Sequence, residues 1–283
     1  QRNEINRFEK YTFEPDEDDF QKTKTVFTEV FPKTIVNEVK SPDIRMEYSL
    51  NPYQGCEHGC SYCFARPTHE FWGYSAGTDF ERKILVKKNA PDLLEKFFQK
   101  RNYVPKTITL SGNTDCYQPA EREFEITRKI LKLCLDYRHP VSILTKNALV
   151  LRDLDILKPL AEQNLVSVSF SIPTINEEIR RKMEPRTSSV KNKLKAIEIL
   201  SEHQIPVGVM VAPVIPGLTS DESLTILKTV SEAGAQKFGY VLVRLNDTVE
   251  PVFINWINAN FPDRAEKVLN LIRSMRGGKL GDK

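Results

Sequence analysis

Val207-Gly-Val-Met-Val-Ala-Pro-Val214 reads as a strand that is apolar on both faces. A strand with one wet face would alternate apolar and polar residues, so this run belongs inside a covered sheet, where parallel strands occur. Similar β-rich runs lie at Met46–Leu50, Thr107–Leu110, Val141–Leu144, Val166–Ile172 and Phe238–Val243. Helical patterns separate them. Ile126, Ile130, Leu133 and Tyr137 recur at spacings of three and four, as do Val190, Leu194, Ile197 and Leu200 behind a capping serine at Ser188 or Ser189. Leu224, Leu227 and Val230 form a third stripe behind Thr219 or Ser220. Strand and helix in alternation imply parallel strands joined by helical crossovers. Six such units make an α/β fold, either an incomplete TIM-like barrel or an open doubly wound sheet.

Around this core the pattern changes. Residues 1–44 carry an acidic run, Glu14 to Asp19, and little apolar periodicity, which reads as an N-terminal arm, a strap or a solvated tail. Residues 45–276 hold the core and a helical section from about Pro251 to Arg276, and 277–283 read as a flexible tail. The chain has 283 residues, of which 40% are hydrophobic and 28% charged, an ordinary globular composition. A net charge of +3 neither demands nor excludes nucleic acid. No apolar run approaches the length of a membrane span, and the polar stretch Gln1 to Lys10 does not read as a secretory signal. A cytoplasmic protein is expected.

Three of the five cysteines crowd into Cys56-Glu-His-Gly-Cys60-Ser-Tyr-Cys63. Three thiolates so close can grip three corners of a cubane iron–sulfur cluster, leaving the fourth iron open for a ligand. Gly55 and Gly59 let the loop turn tightly. The rival reading is zinc with His58 or His69 as fourth ligand, although the second C-x2-C knuckle usual in structural zinc sites is absent.

The spacing resembles that of the radical S-adenosylmethionine (SAM) superfamily. Asn51-Pro-Tyr-Gln-Gly-Cys56 and Tyr62-Cys63-Phe-Ala-Arg-Pro-Thr-His69 are similar to the branch related to spore photoproduct lyase, the DNA repair photolyase-like proteins. So are Leu110-Ser-Gly-Asn-Thr-Asp115, Thr145-Lys146, Glu184-Pro-Arg186 and Val211-Ala-Pro-Val-Ile-Pro-Gly217. The resemblance spans about residues 46–276. It implies a partial TIM-like (β/α)6 barrel, a [4Fe-4S] cluster on Cys56, Cys60 and Cys63, SAM as cofactor, and an external electron donor of the flavodoxin or ferredoxin class. It also implies reductive cleavage of SAM to a 5′-deoxyadenosyl radical that abstracts hydrogen from a substrate, with a DNA photolesion as one option.

The same resemblance places SAM at the C-terminal ends of the strands. Ser111, Gly112, Asn113 and Thr114 replace a Gly-Gly-Glu segment that meets the SAM amino group; the acidic residue is missing, so Asn113, Thr114 or Asp115 would serve. Lys146 and Arg186 are candidates for the SAM carboxylate, with a surface lysine and a solvated ion pair as the alternatives. Ser169 and Ser171 share one strand face and suit ribose hydroxyls. Val211 and Ala212 would pack on adenine, and the backbone at Tyr62 would bond it.

Cys116 is a candidate hydrogen-atom donor or a core residue, and Cys134 reads as core. His69, Glu70 and Trp72 either line a substrate entrance or pack the loop. Arg180, Arg181, Lys182, Arg186, Lys191 and Lys193 form a modest basic grouping, which reads as a solvated face. Used on nucleic acid it would suit a different class of protein, a zinc-stabilised binding module.

Overall fold

The computed structural model describes residues 24–40 and 46–281. The stretches Gln1–Lys10 and Glu14–Asp19 and the last two residues of the tail lie outside the described residues.

In chain order the elements are β1 Val26–Val30, β2 Val36–Glu38, β3 Tyr48–Leu50, β4 Tyr53–Gln54, α1 Thr78–Arg82, β5 Lys83–Lys87, α2 Ala90–Phe98, β6 Ile108–Leu110, α3 Glu121–Phe124 and α4 Ile126–Asp136. There follow β7 Val141–Thr145, α5 Leu154–Glu162, β8 Val166–Ser171, α6 Glu177–Met183, α7 Val190–Glu202, β9 Val207–Val214, α8 Ser223–Glu232, β10 Lys237–Leu242, α9 Val249–Asn260 and α10 Pro262–Met275. The main sheet runs β2-β3-β6-β7-β8-β9-β10. From β3 to β10 all pairings are parallel, and β2 joins antiparallel at the edge. β2 and β10 do not pair with each other, so the barrel stays open, the partial TIM-like architecture expected.

Sequence and structure agree closely on the six parallel strands, because each run is rich in β-branched, aromatic or other apolar residues. Val207, Val209 and Val211 of β9 are buried on one face. On the other, Gly208 faces Ser169 in register, and a Cβ at Gly208 would lie 2.9 Å from Ser169 Oγ. The glycine makes room for the serine. Ser189 caps α7, its Oγ accepting from the Asn192 amide at 3.2 Å. Thr219 and Ser220 do not cap α8. Their hydroxyls accept from the Ile215 and Gly217 amides instead, closing the turn after β9, and a short 3-10 turn leads into the helix.

One expectation changes. Part of the N-terminal arm is sheet: β1 pairs in parallel with β5, which also carries β4, and β2 extends the main sheet. Ile35 is buried in the main core, and Phe27 and Val36 pack against it. β1 and β2 are largely exposed and find their partners far along the chain, so they carry no core-facing apolar run in the sequence. The C-terminal section is two helices, broken at Phe261–Pro262, where proline ends one helix and starts the next.

The main core fills the barrel wall beneath α2, α4, α5, α7 and α8. A second apolar cluster joins Val249, Phe253, Trp256, Ile257, Val268 and Ile272 of α9 and α10 to Ile215, Met183, Tyr62 and Cys60. The C-terminal helices therefore cover the cysteine loop. Burying a side chain such as Phe253 there stabilises the cover by about 1.5–3 kcal/mol. Among the described residues no helix is long and apolar enough to cross a membrane.

Candidate active site

Cys56, Cys60 and Cys63 stand on a loop that the rest of the chain grips by its backbone. Gly55 and Gly59 take φ of +79° and +65°, a region that disfavours any Cβ. The Cys56 amide donates to the Phe80 carbonyl at 2.8 Å and the Ser61 amide to that of Met183 at 3.1 Å. Buried Gln118 holds the loop from the other side, accepting from the Glu57 amide at 2.9 Å and donating to the Gly55 carbonyl at 3.1 Å. Arg66 donates through Nε and Nη2 to the Cys60 carbonyl, at 3.0 and 2.9 Å.

Burial pushes all three thiols up, and Cys56 is raised further by Asp115, Cys60 and Cys63. The sulfurs thus sit within electrostatic reach of one another in a poorly hydrated space. That donor set fits an iron–sulfur cluster, whose binding replaces three protons with metal. The zinc reading would need His58 or His69 as a fourth ligand. Among the described residues no three His, Cys, Asp or Glu side chains are placed to hold a single metal ion. His58 is turned to Asp115 Oδ2, 3.3 Å from Nδ1, and to Asn147 Nδ2, 3.4 Å from Nε2. His69 is buried between Tyr74, stacked at 5.1 Å, and the edge of Phe80 at 5.7 Å, and burial lowers its pKa to about 4.

Beside the loop, the C-terminal ends of β6 to β9 form a hydrogen-bonded rim. Asp115, after β6, accepts from the Lys146 amide at 2.7 Å and from Thr145 Oγ1 at 2.8 Å. Lys146 Nζ, after β7, donates to Ser171 Oγ at 2.5 Å. Ser171, ending β8, donates to the Ala212 carbonyl of β9 at 2.8 Å. Tyr62 lies against this rim with Lys146 Nζ 5.5 Å from its ring centroid.

Within Ser111–Asp115 the side chains are largely occupied. Ser111 Oγ accepts from the Cys116 amide at 2.7 Å, and Thr114 Oγ1 donates to the Tyr53 carbonyl at 2.6 Å. The Asn113 and Thr114 amides both donate to Asn51 Oδ1. Gly112 has no room for a side chain, since a Cβ would lie 2.4 Å from Ser49 Oγ. Asp115 spends both oxygens on protein donors. Burial raises its carboxyl, but His58 beside it and the Lys146 and Tyr117 amides together more than offset this, and the net shift is downward.

Glu184 is the hub of the site, and the sequence marks it only as part of the Glu184-Pro-Arg186 motif. It is fully buried and accepts from the Tyr62 hydroxyl. It also pairs with Lys146 at 2.8 Å and with Lys193 at 3.2 Å. Burial pushes its carboxyl up, yet the two lysines hold it down at about 2. Lys193 is itself buried, on the inner face of α7.

Several expectations are not brought together here. Cys116 has no exposure and lies in the main core, so a hydrogen-atom donor at that position has no access to a substrate; burial pushes its thiol well up. Cys134 is core, as expected. Arg186 does not sit on the rim; it pairs with Glu81 at 2.5 Å and donates to the Glu57 carbonyl. The basic grouping dissolves: Arg180 and Lys193 are buried in ion pairs, Lys182 pairs with Glu178, and Arg181 lies 3.7 Å from Glu177. His69 and Glu70 are buried in packing, while Trp72 is exposed. Asn51, Arg66 and Glu81 were missed as site residues. Asn51 and Arg66 stand in motifs flanking the cysteines, which is the signal that marks them; Glu81 has none.

A family model described as the Radical SAM superfamily matches residues 50–230. An uncharacterized protein of Mycobacterium bovis is 34% identical over 250 residues, covering 87% of this chain and 74% of its own length. An uncharacterized protein of Methanocaldococcus jannaschii is 30% identical over 238 residues, covering 84% of this chain and 85% of its own. Among solved structures, a spore photoproduct lyase variant with bound AdoMet and dinucleoside spore photoproduct superposes with a TM-score of 0.59. It is 17% identical, a likeness of fold, over 83% of this chain and 66% of the lyase.

Proposed function

This chain belongs to the radical SAM superfamily and is an enzyme, and from that premise we propose that Cys56, Cys60 and Cys63 hold a [4Fe-4S] cluster beside a SAM seat built from the strand ends Ser111 to Ala212. The observation that carries the reading is the junction of two features: three thiols on one pinned loop, and next to them four parallel strand ends linked from Asp115 through Lys146 and Ser171 to Ala212. When bound, cluster and SAM supply one-electron cleavage of the C5′–S bond and a 5′-deoxyadenosyl radical that takes a hydrogen atom from substrate.

The chain's own part is to bind, orient and exclude water. Lys146 brings an ammonium to the rim, where it suits the SAM carboxylate, and Glu184 holds it in place until a ligand competes. Glu184 partners both Lys146 and Lys193, so that corner keeps one net positive charge, which suits an anionic group. Asn113 keeps a partly exposed amide side chain on the loop after β6 and is the group there to meet the SAM amino group. Asp115 is a positioning residue: it aims His58 and the Lys146 backbone and has no oxygen left over. Ser169, Ser171 and Ala212 line the ribose and adenine side. Tyr62 closes the seat, and α9 and α10 shield the loop from water. Water exclusion matters because a carbon radical must meet substrate before solvent or protein.

Anaerobic reconstitution tests this reading. The wild-type protein should take up iron and sulfide, turn brown and release 5′-deoxyadenosine with dithionite, or with a ferredoxin- or flavodoxin-class donor. Deuterated candidate substrates should pass deuterium into 5′-deoxyadenosine, and a dinucleoside photoproduct is the first to try, given the ligand named for the lyase of similar fold. A sample holding one tight zinc and no iron would sink the proposal.

A further inference from the structure

We infer that Arg66, Glu81 and Arg186 form a clamp that shapes the cysteine loop and biases the reduction potential of the cluster it holds; the second half rests on the cluster assignment above. Glu81 lies on α1 and bridges two guanidinium groups, with Oε1 2.6 Å from Arg66 Nη2 and Oε2 2.5 Å from Arg186 Nη2. Arg66, with no exposure, forks onto the Cys60 carbonyl and anchors itself on the Ala76 and Gly77 carbonyls at 2.9 and 2.8 Å. Arg186, on the link between α6 and α7, donates to the Glu57 carbonyl. Two carbonyls of the loop are thus held by two arginines that share one carboxylate.

Gly59 shows how closely the clamp is fitted to the loop. A Cβ there would lie 2.2 Å from Arg186 Nη2 and 2.6 Å from Glu81 Oε2, so the clamp occupies the space that a side chain would need. Three separate stretches of chain meet at this point: the loop, α1 and the α6–α7 link. A bidentate guanidinium fixes both distance and angle, which a lysine at the same place would not.

The clamp also carries charge. Two arginines and one carboxylate leave one net positive charge against the loop. Adding an electron to an anionic cluster is eased by positive charge nearby, and net charge and hydrogen bonding are among the terms that set such potentials. Removing Arg186 should make reduction harder, and neutralising Glu81 should make it easier. Loosening of the loop alone would not give opposite signs.

The experiment has two arms. In the apoprotein, hydrogen exchange of the amides in residues 57–61 is compared for wild type and Arg186→Gln; loss of the charge-assisted hydrogen bonds should speed it by roughly tenfold or more, with the barrel strands unchanged. In reconstituted protein, redox titration followed by EPR should give a lower midpoint potential for Arg186→Gln, a higher one for Glu81→Gln, and for Arg186→Lys a value nearer wild type than the glutamine variant. Unchanged exchange overturns the clamp. Potential shifts of the same sign, or none, overturn its electrostatic effect. A wild-type protein that takes up no iron and sulfide overturns the cluster assignment instead, and the exchange arm still decides the clamp.

Discussion

Asn51 Oδ1 accepts the backbone amide of Asn113 at 2.8 Å. The Thr114 amide reaches the same oxygen at 3.3 Å. Asn51 directly follows β3, and β3 pairs with β6 through Leu50 and Leu110, so one side chain fixes the loop after β6 to the strand that leads into the cysteines. Asn51→Ala strips two amides of their acceptor, each worth about 1–3 kcal/mol when buried. The variant should keep full iron and sulfide, and bind SAM roughly tenfold or more weakly, as read from the SAM-induced change in the cluster EPR signal. Wild-type affinity would mean that this loop does not meet SAM.

The two classes of cysteine should separate cleanly. Cys60→Ala should abolish cluster loading, measured as iron and sulfide per chain after anaerobic reconstitution. Cys116→Ala removes only a buried core thiol, and should cost about 1–2 kcal/mol of stability while leaving 5′-deoxyadenosine release intact. Loss of substrate turnover in Cys116→Ala with SAM cleavage preserved would restore the hydrogen-donor role.

Gly112 and Ser49 should be energetically coupled. Gly112→Ala drives a methyl to 2.4 Å from Ser49 Oγ, an overpacking that costs about 1–3 kcal/mol. In a Ser49→Ala background the same change should cost less, because the hydroxyl is gone. Chemical denaturation of the four proteins in the cycle measures the difference, and strict additivity would show that the loop moves aside freely.

Acid should destabilise the fold through His139. Its ring stacks on Phe98 at 4.5 Å, neither nitrogen finds a hydrogen-bond partner among the described residues, and burial lowers its pKa to about 4 against the ordinary 6.5. The unfolded chain therefore binds the proton first as pH falls, so stability drops from about pH 6.5 toward pH 4 and is full above that window. From pH 7 to pH 5 this one group accounts for about 2 kcal/mol. His139→Phe should lose less stability over that interval than wild type, measured by urea unfolding at the two pH values. An equal loss would remove His139 from the account.

Much of the architecture is legible in the chain because it is local. The β9 run is apolar on both faces, and the Ser189 cap and the α7 stripe depend on residues within a few positions of one another. β1 and β5 were not legible, since Val26 finds Lys83 only in the folded chain. The site divides the same way. Lys146, Ser171 and Ala212 were singled out by the family resemblance together with their places at strand ends, whereas Arg186, singled out the same way, instead meets Glu81. Lys193 reads as part of a basic surface, yet it is buried beside Glu184 because the inner face of α7 falls there.

The alternation of the six parallel strands with helices and the close spacing of three cysteines are properties of neighbouring residues, and the sequence alone determined them. Which charges face one another was settled by tertiary structure: His58 with Asp115, Lys146 and Lys193 with Glu184, Arg66 and Arg186 with Glu81. The reason is that a buried charge is tolerated only beside a partner, and the partner is supplied by whichever distant segment the packing of strands and helices carries to it.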